Sequence, residues 1–354
     1  MRIALAGRPG SGKSTLFDLV AGAGHPGSGL RIAHVEVPDP RVQALSTAFK
    51  PRKTTHARLE IQDLEQRSGP AYPTLSPERR EMLGKCDLVL LMIDLFSVGP
   101  EEWSRESTQQ IQSIRDEFAI LDLATVEGRL ERVEKMVRSG QKPGFAGEPE
   151  ILAEFRDLLN EGRPLSDHPG YVEKARDLRG FAFLSGRAIL PAFNVAEDQL
   201  AGARSRLSET TDLARDPAAI VLCAEVEKQI QELSPEDREG FMEAFGLEES
   251  ALAQTIRSAY AEAGLLSFFT VGEDEVRAWS LREGSTAPQA AGAIHTDLEK
   301  GFVRAEVVAY ADWESTRSMH KVKEQGKSRL EGKEYVIQDG DIVNIRSGLA
   351  KSKG

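Results

Sequence analysis

Near the N-terminus, Gly7-Arg8-Pro9-Gly10-Ser11-Gly12-Lys13-Ser14 fits the pattern G-x-x-x-x-G-K-[ST], and its surroundings restrict what the chain can fold into. Residues 2–7, RIALAG, form a short apolar run ending at a glycine, as a buried strand entering a turn does. From Lys13 onward, Leu16, Leu19 and Val20 are spaced for a helix that Gly22 and Gly24 would stop. A strand, a glycine-rich loop and a helix in that order let successive main-chain N–H groups point at a phosphate, and the helix N-terminus adds positive partial charge. Gly7, Pro9, Gly10, Ser11, Gly12, Lys13, Ser14 and Thr15 are therefore the expected phosphate-binding residues. Lys13 is expected to reach the β- and γ-phosphates and the Ser14 hydroxyl to ligate Mg²⁺. The motif specifies a triphosphate site without naming a reaction, because kinases, motor ATPases and signalling NTPases share it.

The rest of the chain supplies the matching sheet. Residues 57–63 alternate, with Ala57, Leu59 and Ile61 on one side, and 87–96 (DLVLLMIDLF) are continuously apolar, as in a strand covered on both faces. Residues 188–194 and 219–224 read as two further buried strands, and strands alternating with helices predict an α/β fold with a mainly parallel sheet. A purely helical pattern interrupts it. Leu123, Val126, Leu130, Val133 and Val137 step by three or four, and Ile151, Leu152, Phe155, Leu158 and Leu159 repeat the stripe after GQKPGFAGEP, which predicts a coiled-coil-like hairpin. From about residue 268 short alternating segments separated by glycines indicate a small strand-rich domain. The expected organisation is a nucleotide-binding domain in two parts (1–120 and 178–267), a helical hairpin (121–177), a C-terminal domain (268–348) and a disordered tail (349–354).

A chain of 354 residues exceeds what one core usually organises. Its formal charge of -11 excludes nucleic-acid binding through the overall field and leaves only a local basic face for it. Cys86 and Cys223 each sit in an apolar run, which suits reduced core thiols and a cytoplasmic location. No apolar stretch reaches the roughly 20 residues that span a bilayer, and the first residues lead into a strand instead of a signal sequence, so no membrane partner is expected.

Several segments together resemble the Obg-like ATPase (YchF) family of P-loop NTPases. They are GRPGSGKSTLF (7–17), VPDPRVQAL (37–45), KPRKTTHARLEIQD (50–63), FNVAED (193–198) and FGLEESALAQTIRSAYAEAGLLSFFTVGEDEVRAW (245–279). GSTAPQAAGAIHTDLEKGFVRAEVV (284–308) and EGKEYVIQDGDIVNI (331–345) resemble that family's ubiquitin-like (β-grasp) TGS domain almost residue for residue. The resemblance covers nearly the whole chain and implies a G-domain, the inserted hairpin and the TGS domain. The family's base-reading loop carries Asn-x-x-Glu, matched by Asn194-Val195-Ala196-Glu197; this implies ATP rather than GTP as the ligand, since an amide both donates and accepts and so can serve adenine. Val195, in place of the usual lysine, is expected to alter how the base is flanked, and Ala224 to offer a main-chain contact. The plainer reading is that Asn194 only caps a strand end. The resemblance also implies a ribosome or RNA partner through the TGS domain and the hairpin. Arg317, Lys321, Lys323, Lys327, Arg329 and Lys333 are possible phosphate contacts, and a solvated helix face is the simpler reading. His295-Thr296-Asp297 is expected to supply local capping chemistry, with Thr296 or Asp297 near a helix start.

The chain departs from the family at both switches. No threonine lies between Leu16 and Leu45, so the segment expected to be switch I is reduced to GAGHPGSGLRIAH. Asp63 stands where a carboxylate would hold Mg²⁺ through water, but Gln66 replaces the glycine of Asp-x-x-Gly, and the shorter RSGPAYPTLSPERR carries no histidine to orient a water. Three readings follow: an ATP-binding, slowly hydrolysing regulatory factor linked to translation or stress, with no catalytic residue identified; a degenerate scaffold that has lost catalysis; and a P-loop small-molecule kinase.

Overall fold

The computed structural model describes residues 2–22, 30–64, 76–211, 218–247 and 249–348. The tail 349–354, the centre of the expected switch I (23–29) and most of the expected switch II, Gln66 included, lie outside the described residues.

The first sheet contains β1 (Arg2–Gly7), β2 (Leu30–Glu36), β4 (Arg58–Leu64), β5 (Leu88–Asp94), β6 (Ala188–Asn194) and β7 (Ile220–Leu222), in the order β2-β4-β1-β5-β6-β7. β4, β1, β5, β6 and β7 are all parallel, as the alternation of strands and helices predicted. β5 is central and apolar on both faces because each is covered, and Leu88, Val89, Met92 and Ile93 are fully buried. Parallel strands end together, so the C-terminal ends of β1, β5 and β6 gather the phosphate loop, Asp94 and Asn194 at one edge.

Residues 30–34, read in sequence as part of switch I, form β2 instead. Its burial alternates, with Arg31, Ala33 and Val35 inward and Leu30 and Ile32 outward. Sequence reading treated this segment as a shortened loop, and the strand period was missed because a charge occupies the inward phase.

The hairpin pairs α4 (Trp103–Arg138) with α5 (Glu148–Asn160). α4 is one continuous helix of 36 residues, starting well before the stripe recognised in sequence. Its buried positions Trp103, Ile111, Ile114, Phe118, Val126, Leu130 and Val133 hold helical spacing throughout; the N-terminal half packs in the core of the first sheet and the C-terminal half with α5. Val137, expected in the stripe, is 49% exposed, beyond the last layer of packing. Arg129 Nε and the Gly144 N–H both donate to the buried Glu148 carboxylate, at 2.7 and 2.6 Å, which fixes the turn against α4.

The C-terminal unit has a second sheet, ordered β11-β10-β12-β8-β9-β3, from β3 (Lys53–Thr55), β8 (Leu265–Val271), β9 (Glu275–Arg282), β10 (Phe302–Ala309), β11 (Arg329–Glu331) and β12 (Asp341–Ser347). The antiparallel pairs β8·β9 and β10·β12 meet through the parallel neighbours β8 and β12, the expected β-grasp arrangement. A helix at Ala287–Ile294 packs on this sheet through Ala287, Ala290 and Ala291, all fully buried, because methyl side chains let it approach closely. β3 pairs in parallel with β9, and Thr55 Oγ1 donates to Glu275 at 2.6 Å. Residues 34–59 are thereby grouped with Ile256 and everything after it, whereas sequence reading assigned them to the first part of the nucleotide domain and began the last domain at 268. A three-residue strand whose partner lies more than 200 positions away leaves no local trace.

Candidate functional site

The phosphate loop runs from β1 into α1 (Lys13–Ala21). A Cβ at Gly7 would stand 2.4 Å from the Met92 main-chain oxygen, and one at Gly12 would stand 2.5 Å from Asn194 Nδ2; both glycines have positive φ, 138° and 94°. The loop can take this path only without side chains there. Pro9, Gly10 and Ser14 are exposed and Thr15 is partly so, whereas Ser11 is fully buried with an Oγ that has no hydrogen-bond partner among the described residues.

Lys13 is 7% exposed and curls over the loop, donating from Nζ to the main-chain oxygens of Gly7 (2.9 Å) and Arg8 (2.6 Å). Burial, then the positive Arg79, pushes its pKa down to about 8, against a smaller opposing pull from Asp63. The ammonium is thus held in place on neutral carbonyl dipoles beside a helix N-terminus. Arg8 is tied outward to α4, Nη1 to Glu106 Oε2 at 3.1 Å.

Asp63 closes β4 and is 1% exposed. Its Oδ2 accepts from Arg31 Nη2, while Oδ1 has no partner among the described residues. Arg31 also donates from Nη1 to Asp18 Oδ1 at 2.9 Å and lies 4.5 Å over the Phe17 ring. Arg79, on α3 (Pro77–Lys85), is buried enough to lower its pKa, with Asp63 and Glu117 opposing. Arg31 therefore contacts the Asp63 carboxylate directly, while Lys13 and Arg79 interact with it electrostatically. Sequence reading found Lys13 and Asp63 and missed both arginines. The signal for Arg31 was a cation in the inward phase of an alternating strand; Arg79, in the run PERR, had none.

An exposed serine hydroxyl at the start of α1 and an unpartnered buried carboxylate oxygen are hard oxygen donors of the kind Mg²⁺ takes, so Ser14 and Asp63 Oδ1 are the donors left to the expected ion, Arg31 already occupying Asp63 Oδ2. Among the described residues no group of three or more His, Cys, Asp or Glu side chains could hold a metal by itself.

The base-reading residues stand at the end of β6. Asn194 is buried, donates from Nδ2 to the Ser11 main-chain oxygen at 3.1 Å and accepts at Oδ1 from the Ala224 N–H at 3.0 Å. It therefore does more than cap a strand, since its amide holds the phosphate loop and the start of the helix Ala224–Glu232 together. Val195 is fully buried in the core with Ile93, Leu95 and Cys223, so the position that carries lysine in ordinary GTPases is here a core residue. Glu197 is exposed and opens a short turn of helix. Cys86 and Cys223 are buried free thiols, and burial pushes Cys86 up to about 12.

In the C-terminal unit, Lys323 pairs with Glu306 (2.6 Å), Lys327 with Asp312 (2.8 Å), Arg317 with Glu314 (3.5 Å) and Arg329 with Glu331 (3.7 Å), so four of the six cations considered for phosphate contacts already have carboxylate partners. The helix Thr296–Lys300 starts where expected and is capped by His295, whose Nδ1 accepts from the Asp297 N–H at 3.1 Å. No helix among the described residues is long and apolar enough to cross a membrane.

The chain is similar to known proteins over nearly its whole length. Residues 265–348 match the family model YchF-GTPase_C, described as "Protein of unknown function (DUF933)". The chain is 34% identical over 360 residues to the "Ribosome-binding ATPase YchF" of Bacillus subtilis (97% of this chain, 98% of the relative). It is 30% identical over 363 residues to "Obg-like ATPase 1" of Bos taurus (97% and 91%). The solved structure of the Schizosaccharomyces pombe YchF GTPase superposes with a TM-score of 0.75 at 23% identity, covering 98% of this chain and 97% of that one.

Proposed function

The chain belongs to the YchF/Obg-like ATPase family, and from that premise we propose that it is an ATP-binding regulatory factor that acts on the ribosome through nucleotide-dependent changes of its surfaces. The observation that carries this reading is Lys13, a buried ammonium held on two carbonyls of a glycine loop at the start of α1, where a triphosphate needs a positive charge. Main-chain N–H groups of residues 10–15 cradle the phosphates, and Lys13 leaves its carbonyls for the β- and γ-phosphates. Ser14 and Asp63 are the residues that would hold Mg²⁺, which would supply positive charge to the terminal phosphates.

Asn194 retains one free N–H and one free lone pair after its bonds to Ser11 and Ala224, so it can still address a purine edge. Glu197 accepts hydrogen bonds but lies outside the core, and we assign ATP over GTP on this Asn-x-x-Glu pattern together with the "ATPase" in the relatives' names. With no threonine between Leu16 and Leu45 and no histidine in RSGPAYPTLSPERR, the chain lacks the switch side chains that would orient water, and hydrolysis is slow without a partner. Ribosome binding is carried over from the name of the bacterial relatives, and the C-terminal TGS-like unit and the hairpin are its proposed contact surfaces.

Calorimetric titration with ATP, GTP and their non-hydrolysable analogues tests the reading, with Lys13→Ala as control and turnover measured with and without ribosomes. Tighter uptake of ATP than GTP, lost in Lys13→Ala, with slow turnover, supports it. Equal ribosome binding by Lys13→Ala and wild type would favour a scaffold.

A further inference from the structure

We infer that Arg31 is a resident cation at the carboxylate assigned to Mg²⁺, and that it leaves nucleotide binding by this chain only weakly dependent on divalent metal. The inference rests on the nucleotide-binding reading above and concerns the same site. Asp63 and Arg31 are both buried, with side chains 1% and 7% exposed, and each is the other's nearest compensation for lost hydration. Arginine stays charged at any ordinary pH, so the pair does not dissolve by proton loss. The guanidinium is held on three sides: Asp63 at Nη2, Asp18 at Nη1 and the Phe17 ring beneath its plane.

A divalent ion coming to Asp63 meets this arrangement already in place. To take Oδ2 it must displace Arg31 and leave the buried guanidinium with only the exposed Asp18 carboxylate as an ionic partner, and to take only Oδ1 it must sit close to a positive charge. Lys13 and Arg79 add further positive field at Asp63. Mg²⁺ sheds water reluctantly and demands near-octahedral oxygens, so it gains little from a carboxylate whose charge is already neutralised. The phosphates, in contrast, gain from every cation present. Arg31 therefore supplies from the chain part of the charge that a metal brings in other sites of this kind.

The test measures ATP affinity by calorimetry in excess Mg²⁺ and in EDTA, for wild type, Arg31→Gln and Arg31→Lys, with circular dichroism confirming the fold. In wild type the two affinities should agree within about threefold, and in Arg31→Gln they should separate by about tenfold or more, tighter with Mg²⁺ because Asp63 is freed and weaker in EDTA because a cation is lost. Arg31→Lys, which keeps the charge, should stay with wild type. A wild-type ratio of about tenfold or more, or an unchanged ratio in folded Arg31→Gln, overturns the inference while leaving nucleotide binding intact. If Arg31→Gln does not fold, the wild-type ratio decides alone. No uptake of ATP by wild type in either buffer removes the nucleotide reading and this inference together.

Discussion

Asn194 and Ser11 lie 183 positions apart in sequence and are joined by a single hydrogen bond, Nδ2 to main-chain oxygen at 3.1 Å. The other end of the same amide accepts from Ala224 at 3.0 Å, so one buried side chain sets the phosphate loop against the β7–helix junction. Asn194→Ala leaves a buried carbonyl and a buried N–H without partners, which costs about 1–3 kcal/mol for each group left unsatisfied. Asn194→Asp keeps the acceptor for Ala224 but turns an oxygen toward the Ser11 oxygen. Both variants should melt lower than wild type and bind ATP at least about tenfold more weakly, as thermal denaturation and titration would show. Unchanged melting in both would mean that the amide is not a structural tie.

Gly12 is constrained by the same residue. Its φ of 94° disfavours any L side chain, and a Cβ would meet Asn194 Nδ2 at 2.5 Å. Gly12→Ala combines backbone strain of about 1–2 kcal/mol with displacement of the Asn194 amide. ATP affinity should fall more than stability does, because the displaced group is the one that shapes the loop. Titration and urea unfolding of the same preparation separate the two effects.

The lowered pKa of Lys13 has a direction that can be checked. A lysine in the unfolded chain titrates near 10.4, and in the folded protein burial beside Arg79 pushes Lys13 down to about 8. Between these values the unfolded state binds more protons, so this group's contribution to stability rises as pH increases from about 8 to about 10.4 and is constant below about 8, where the penalty is complete. The full effect is about 3 kcal/mol, since each pKa unit is 1.36 kcal/mol. Lys13→Met removes the penalty, so its stability advantage over wild type should shrink over that interval while ATP binding is absent throughout. ATP itself favours the charged ammonium, and wild-type affinity should decline as pH rises above about 8, with proton uptake on binding visible as a buffer-dependent enthalpy.

What could be read from the sequence was whatever had a local period or a local motif. The strand–loop–helix around Lys13, the apolar β5 and the α5 stripe follow from residues a few positions apart, and the structure has all three. Asn194 was found through a four-residue pattern, but its role as a tie depends on Ser11 and Ala224, which no spacing rule connects to it. Val195, one residue beyond β6, is buried with Ile93, Leu95 and Cys223, a placement that the four-residue pattern alone does not give. Arg31 and β3 were missed for the same physical reason. Their partners, Asp63 and β9, come from other parts of the chain, and only the closed fold makes a buried arginine or a three-residue strand stable.

The hairpin offers a test of how independently the parts of the first unit are stabilised. Phe155 on α5 is fully buried and meets Phe183 edge-on, with ring centroids 6.1 Å apart, and His168 at 5.2 Å. Phe155 and Phe183 belong to a core cluster with Val126, Leu130, Val133, Leu152, Leu158 and Leu165 that contains none of the residues of the phosphate loop or of β1, β5 and β6. Phe155→Ala removes a ring from close packing and leaves a cavity, a change that costs about 3–5 kcal/mol where the surroundings cannot collapse. Because α4 continues from this cluster into the core beneath β5, the helix itself should persist on the sheet side and fray from the hairpin end. Hydrogen exchange should therefore quicken in α5 and in α4 beyond about Asp122 while the N-terminal half of α4 stays protected, and ATP affinity should change by less than about threefold. Loss of protection along all of α4, or of ATP binding, would show instead that hairpin and nucleotide site unfold as one unit.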